Sequence, residues 1–282
     1  MKKPSSTAIL VLILLVGLSL LLYPSVSNYW NSFTQSKVIV DYSQQIQEID
    51  PDRYKEILDA AIAYNDSLLG RRNSYLLSDA QKEEYERLLD ISGLGIMGYI
   101  EIPKIKCSLP IYHGTNDSVL QIAIGHLEWS SLPVGGESSH CVLSGHRGLP
   151  SAKLFTNLDQ LVAGDVFLLR VLDEVLTYEV DQIQIVLPDE TDSLMIEEGQ
   201  DYCTLITCTP YGINTHRLLV RGHRVDNLPE SRVIHITSDA VQIEPILVAP
   251  IVATPILLVL LLMLLTKPQK PRKKGGARNE DP

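Results

Sequence analysis

The stretch "TCTPYGINTHR", Thr207 to Arg217, decides how this chain is read. It closes the β-rich run "DYCTLIT" on Cys208 and is broken at once by Pro210, which cannot donate to a continuing strand ladder. A polar loop with Gly212 follows, and then a second strand-like run, "HRLLVRGHRV". A thiol at the lip of a strand, with an arginine nine residues on at the mouth of the next, suits a nucleophile better than a packing residue. A free thiol has a pKa near roughly 8.5, so it needs a cation or base beside it to react. Arg217 starts the next strand, and a hairpin turn brings it level with Cys208. Arg221 shares its parity but lies about 13 Å further along at roughly 3.3 Å per residue.

The base expected for such a thiol is a histidine. Of the seven in the chain, His146 in "VLSGHRGLP" repeats the pattern of Cys208: an apolar run ends at Gly145, and a Gly/Pro loop follows. His126, in "IGHLEW", is the alternative. His113, His140, His216, His223 and His235 lie in or beside strand runs or in a linker, where ordinary structural or solvated roles account for them. A zinc site from Cys203, Cys208, His216 and His223 would need the spacing C-x4-C-x7-H-x6-H, which matches no common pattern. Cys203 and Cys208 are also five apart on one strand, which aims their sulfurs at opposite faces. Cys107 and Cys141 lie in separate strand runs and pair only if the fold joins them, so a disulfide stays open and free thiols are favoured.

Outward from this stretch, from Gly98, the texture is of short strands between Gly, Pro, Asn and Asp turns. "GYIEI", "SLPIYHG", "HCVLSGH", "DVFLLRVL", "VLTYEVDQIQIV", "YCTLITC" and "HRLLVRGHRV" give seven, which predicts a mainly β fold, a closed or nearly closed barrel. "LPSAKLFTNLDQL" is the one helical turn expected within it. Upstream the chain reads as helical to about Leu89. Asp50 caps a helix with Pro51 at its first position and Gly70 as its stop. Ser78 and Gln81 form a capping box for a second helix, whose apolar patch is short.

Two apolar blocks flank this region. Thr7 to Tyr23 follows Lys2 and Lys3, and is read as a membrane span or a signal sequence with a small-residue site at Ser25 to Ser27. Ile246 to Leu265 is long enough to span a bilayer and precedes a basic tail. The positive-inside rule puts both termini in the cytoplasm and everything between outside the cell. Between Pro24 and Pro245 there are 16 basic and 32 acidic residues, a net −16, which excludes a nucleic-acid-binding surface.

His146 in "SGHRGLP" and "TLITCTPYGINTHRLLVRGHR" with Cys208 and Arg217 resemble the sortase family. The nearer likeness is to its class C, the pilus-assembling transpeptidases of Gram-positive bacteria. It runs from "GYIEIPKI" through "LPIYHGT", "GHLEWSSLPVGGESSH" and "KLFTNLDQL" to Val225. The resemblance implies an eight-stranded sortase barrel and a catalytic set of His146, Cys208 and Arg217. It implies cleavage of an LPxTG-like signal between Thr and Gly through a thioacyl enzyme, then transfer to a pilin lysine. No cofactor and no metal are implied. The expected partners are pilin subunits and the lipid bilayer, with a monomeric catalytic domain. Members of the class usually carry a lid with an Asp-Pro-aromatic motif. The corresponding stretch, "GRRNSYLLSDAQKEEYE", has no Asp-Pro pair, so an altered or absent lid over 70–90 is expected. Asp79 and Tyr75 are conceivable substitutes, and neither is assigned.

The expected organisation is a membrane or signal segment over 1–23, an extracellular helical region over 24–93 and the barrel over 94–226. A linker over 227–245, a transmembrane helix over 246–265 and a basic cytoplasmic tail over 266–282 complete it. Two other readings stand beside this one. The first is a sortase that attaches surface proteins to peptidoglycan; a C-terminal span is unusual for that type. The second is a non-enzymatic anchored surface protein, suggested by "LPESR", Leu228 to Arg232. Ser231 and Arg232 replace the Thr and Gly of a sorting signal there, which favours a linker.

Overall fold

Eight strands close on themselves in the order β1-β2-β3-β4-β7-β8-β6-β5. They are β1 (Ile96–Ile102), β2 (Cys107–His113), β3 (Ile124–His126), β4 (Ser139–Ser144), β5 (Val166–Val171), β6 (Glu174–Val186), β7 (Asp201–Thr209) and β8 (His216–Val225). The computed structural model describes residues 6–69, 77–227, 253–257 and 259. Seven of the strands are those legible in the sequence. The eighth, β3, is three residues long, too short to show an alternation. Most neighbours run antiparallel, but β2 with β3 and β4 with β7 are parallel.

Strand alternation sorts the side chains into two faces. On β7, Cys203 and Leu205 point into the barrel, where they join Met97, Ile100, Ile111, Leu143, Phe167, Tyr178 and Val220 in one buried core. Ile206 points outward, into a smaller cluster with Val142, Leu194 and Leu219. Burying each such large apolar side chain stabilises the fold by roughly 1.5–3 kcal/mol. The barrel needs both clusters because the segment between β6 and β7, which carries Leu194, folds back over the outer face. His140 pins that segment. Its Nδ1–H donates to the Met195 carbonyl at 2.9 Å, and its Nε2 accepts from the Thr204 hydroxyl at 2.7 Å. Burial lowers the His140 pKa to about 4, which fits a ring that must keep one nitrogen free to accept.

The helices match the sequence signals closely. α1 spans Ser6–Gln47, α2 Pro51–Leu68 and α3 Asp79–Arg87. The Asp50 side chain accepts from the Asp52 amide at the start of α2, and both halves of the Ser78–Gln81 capping box form on α3. Tyr85, which with Leu88 and Leu89 makes up the short apolar patch, is almost fully buried. Its hydroxyl sits 2.9 Å from His126 Nδ1 and accepts from the Gly114 amide at 3.0 Å.

Several expectations are corrected. The first apolar block lies within a 42-residue helix that also contains residues 25–27. The barrel holds more than one helical turn: besides Leu158–Gln160 there are α4 (Asp117–Leu120) and short 3-10 turns at Pro103–Ile105 and Asp192–Leu194. Among the described residues one helix, within α1, is long and apolar enough to cross a membrane. Of the second apolar block only residues 253–257 and 259 are described, as helix. The rest of that block, the tail, the linker from Leu228 and the 70–76 part of the expected lid lie outside the described residues. Asp79 is exposed in the first turn of α3.

Residues 26–239 form one compact unit, and residues 1–25 with 240–282 form another. Within the first, α1 is fastened to the barrel side by side chains. Asn28 Oδ1 accepts from the Lys153 amide at 3.0 Å, and Asn31 donates to the Ser151 carbonyl at 2.8 Å. Gln35 donates to the Ile122 carbonyl at 2.6 Å, and Tyr42 bridges the Met97 carbonyl and the Leu172 amide, each at 2.9 Å.

Candidate active site

β4, β7 and β8 are consecutive in the barrel, and their registers line up three side chains. The parallel β4–β7 ladder pairs Ser139 with Asp201 and runs without a break to Ser144 with Ile206. It continues past the end of β4, where the Gly145 amide donates to the Ile206 carbonyl at 3.0 Å and the Thr207 hydroxyl donates to the Gly145 carbonyl at 2.8 Å. His146 and Cys208 are the next positions along this register on the two segments. On the other flank the antiparallel β7–β8 ladder pairs Cys208 directly with Arg217. All three positions share the outward parity of Val142, Ile206 and Leu219, and all three are half-buried. Cys208 and Arg217 are therefore paired at one lip of the barrel, and His146 follows two residues after the end of the adjacent strand β4.

Local chemistry explains why each residue stands there. Gly145 faces inward, and a β-carbon on it would meet Ile124 at 2.5 Å and Phe155 at 2.7 Å. Only glycine lets the strand pass over that packed end and deliver His146 to the lip. The Phe155 amide then donates to the His146 carbonyl at 3.1 Å and holds its backbone. Across the hairpin, the Ile213 and Asn214 amides both donate to the Pro210 carbonyl, at 3.1 and 3.0 Å. Asn214 takes a left-handed φ of 62°, a conformation that asparagine tolerates. This turn brings Arg217 back opposite Cys208. The Arg217 Nη1 donates to the Asn214 and His216 carbonyls at 3.3 and 3.1 Å, which steadies a guanidinium with further donors to offer.

The competing residues are separated by the same geometry. His126 is wholly buried: Nε2–H donates to the Ser131 carbonyl at 2.8 Å, and Nδ1 accepts from Tyr85. Both ring nitrogens are committed, so it has no lone pair to offer at the lip. Arg221 lies opposite Thr204, reaches both oxygens of Asp181 at 3.1 and 2.9 Å, and stacks 4.0 Å over the Tyr202 ring. All four cysteines are free. Burial pushes the Cys107 thiol up to about 12 and raises Cys203 well above its ordinary range. Cys141 and Cys203 are cross-strand partners inside the barrel, on the opposite side of the wall from Cys208. Cys203 and Cys208 thus stand on opposite faces of β7, and the four residues of the suggested zinc set converge on no point. His216 is bonded to its neighbour Thr215 at 2.9 Å instead.

A family model described as a sortase domain matches residues 100–225. Sortase C1 of Streptococcus agalactiae is 50% identical and superposes with a TM-score of 0.67, covering 68% of this chain and 100% of that one. The chain belongs to the sortase family. Sortases are cysteine transpeptidases, and the structural neighbours of this one are of class C. A Streptococcus pneumoniae sortase C, described together with its pilin substrate specificity, is 43% identical with a TM-score of 0.62, over 68% of this chain and 99% of that one. Sortase D of Bacillus subtilis strain 168 is 34% identical over 131 residues. That match spans 45% of this chain and 63% of the Bacillus protein.

The sortase barrel also holds a lip residue that sequence reasoning passed over. Arg147, next to His146, forms an ion pair with Asp159 and donates to the Thr209 hydroxyl at 3.4 Å. Its guanidinium lies 5.9 Å from the centre of the Tyr211 ring. Tyr211 in turn packs so closely on Gly148, at a φ of 77°, that a β-carbon there would meet the ring at 2.8 Å. Arg147 thus ties the loop after His146 to the loop after Cys208. Its adjacency to His146 was the available signal, but no sequence rule says that two loops 62 residues apart will meet.

Proposed function

We propose that this sortase is a membrane-anchored, pilin-polymerising transpeptidase in which Cys208 is the nucleophile, His146 the proton carrier and Arg217 the electrostatic clamp. The observation that carries the reading is the direct pairing of Cys208 with Arg217 on β7 and β8, at the end of the barrel toward which the β4–β7 ladder leads His146. In the first half-reaction the Cys208 sulfur attacks the Thr carbonyl of an LPxTG-like signal. His146 gives a proton to the departing amine of Gly, and a thioacyl enzyme remains. In the second, His146 takes a proton from the attacking lysine amine of another pilin, the C–S bond breaks, and an amide forms. Arg217 offers fork-shaped donors to the oxyanion of each tetrahedral intermediate.

The class C neighbours support a pilin as substrate, since the pneumococcal sortase C is itself described with pilin specificity. The apolar start of α1 supports anchoring, with the barrel outside the cell. Mass spectrometry of the intact protein, after incubation with LPxTG-like peptides, tests the chemistry. The expected result is an acyl adduct on the tryptic peptide containing Cys208, with release of the C-terminal peptide fragment. An adduct on Cys107, or turnover that survives C208A, would overturn the assignment. Adding a pilin lysine peptide or a peptidoglycan-like amine then shows which nucleophile discharges the adduct.

A further inference from the structure

α1 carries two stripes. The barrel-facing one, Asn28, Asn31, Gln35 and Tyr42, makes the hydrogen bonds described above. Half a turn away lie Val26, Tyr29, Trp30 and Phe33, spaced i, i+3, i+4, i+7, which is the signature of one helix face. These four are 63%, 73%, 67% and 58% exposed. Exposed Lys37 and Val40 extend the same line. A contiguous apolar face of this kind on a soluble domain marks an interaction surface.

We propose that this stripe is a lipid-interface seat: it beds the barrel unit into the headgroup layer of the membrane's outer face. The inference rests on the anchoring reading above. Three features select lipid as the occupant. The stripe begins three residues after the apolar run Thr7 to Tyr23 on the same helix. Its composition of Trp, Tyr and Phe with one lysine is that of membrane-interface belts, where a ring sits at the headgroups and a lysine reaches the phosphates. Finally, the exported part carries a net −16, so anionic lipid repels it and apolar insertion must supply the attraction.

Length decides how the stripe must lie. The headgroup layer is about 5–8 Å deep on each side of the bilayer core. Phe33 is ten residues beyond Tyr23, or about 15 Å at 1.5 Å per residue. On an upright rod Phe33 would stand in water. Pro24 lies between the apolar run and the stripe. It lacks an amide, and its ring crowds the carbonyl four residues back, so the helix can bend there. The seat therefore requires the stripe to lie along the surface rather than upright. Because Asn28 and Asn31 hold the 151–153 segment, only a few residues after His146, this seat also keeps the catalytic lip close to the membrane.

The chain has two tryptophans, Trp30 and Trp129, so W129F leaves Trp30 as the only reporter. The full-length protein is reconstituted in phosphatidylcholine–phosphatidylglycerol vesicles that carry nitroxide-labelled lipid, with the label just below the headgroups. Trp30 is read first. Phe33→Trp and Ser32→Trp are then read in a W30F/W129F background; Ser32 lies at the height of Phe33 on a polar flank. The expected result is several-fold stronger quenching by lipid at positions 30 and 33 than at 32, with the reverse order for aqueous acrylamide. Equal quenching at 32 and 33 would mean that height rather than face governs contact, and would overturn the proposal. Protection of 30 and 33 from both quenchers would also overturn it and point to a protein occupant. Carbonate washing separates the two levels of the argument. A chain washed off the vesicles refutes the anchoring itself, whereas a retained but unquenched chain refutes only the seat.

Discussion

The molecule holds two cysteine–histidine groupings, one on each face of the same pair of strands. Inside the barrel, Cys141 is the cross-strand partner of Cys203, and the buried His126 stands on the neighbouring strand β3. Outside, at the lip, Cys208 faces Arg217 on β8, and His146 follows the end of β4 on the adjacent segment. The inner group is sealed from solvent, and His126 spends its nitrogens on Tyr85 and Ser131. The outer group is half-buried and flanked by a permanent cation. The difference teaches that a cysteine and a histidine in one neighbourhood do not by themselves make a reactive pair. A reactive thiol also needs access, a histidine with a free lone pair, and charge nearby to stabilise what forms.

Substitutions on either side of the wall test that contrast. C208A should reduce acyl-adduct formation to background while leaving the melting temperature unchanged; residual adduct elsewhere would break the distinction between the two groups. H146A should lower kcat/KM by roughly 10²- to 10⁴-fold, the usual worth of general acid–base help, whereas H126Q should act mainly on stability. R217K keeps the charge and loses the fork, so turnover should fall by about 10²-fold with little change in KM for the peptide.

The next effect is on stability. His140 binds a proton near its ordinary pKa of 6.5 when unfolded but near about 4 when folded, so acid favours unfolding between those values. Melting curves should lose about 2 kcal/mol from pH 7 to pH 5, and H140N should flatten that dependence. The smallest effect belongs to the inner group. C203A removes a packed sulfur and should cost about 1–2 kcal/mol, with the adduct rate on Cys208 unaltered. A large loss of rate in C203A would show that the two faces are coupled.

Much of this was visible in the linear chain because it depends on near neighbours. The capping box of α3, the Asp50 cap of α2, seven strands and the Cys208–Arg217 hairpin all rest on contacts within about ten residues. What stayed hidden was non-local. β3 has three residues and exists because β2 and β4 flank it. Tyr85 looked like a marginal apolar residue and proved to be an anchor for His126, because the His113 ring, His126 and the Gly114 amide come to it from distant segments. The two glycine–histidine signals, at His126 and His146, were alike in sequence and opposite in fate.

The amino-acid order by itself determined the barrel class, the thiol at a strand end and the arginine opposite it, since a short turn fixes the register of an antiparallel pair. Tertiary structure alone decided which histidine joins them. β4 and β7 are parallel and separated by 62 positions, and no turn sets their alignment. Packing does so instead, with Gly145 passing over Ile124 and Phe155 while Val142 and Ile206 meet under Leu194. A slip of one residue would turn Cys208 into the core and bring Cys203 out. The burial of one face is what forbids it.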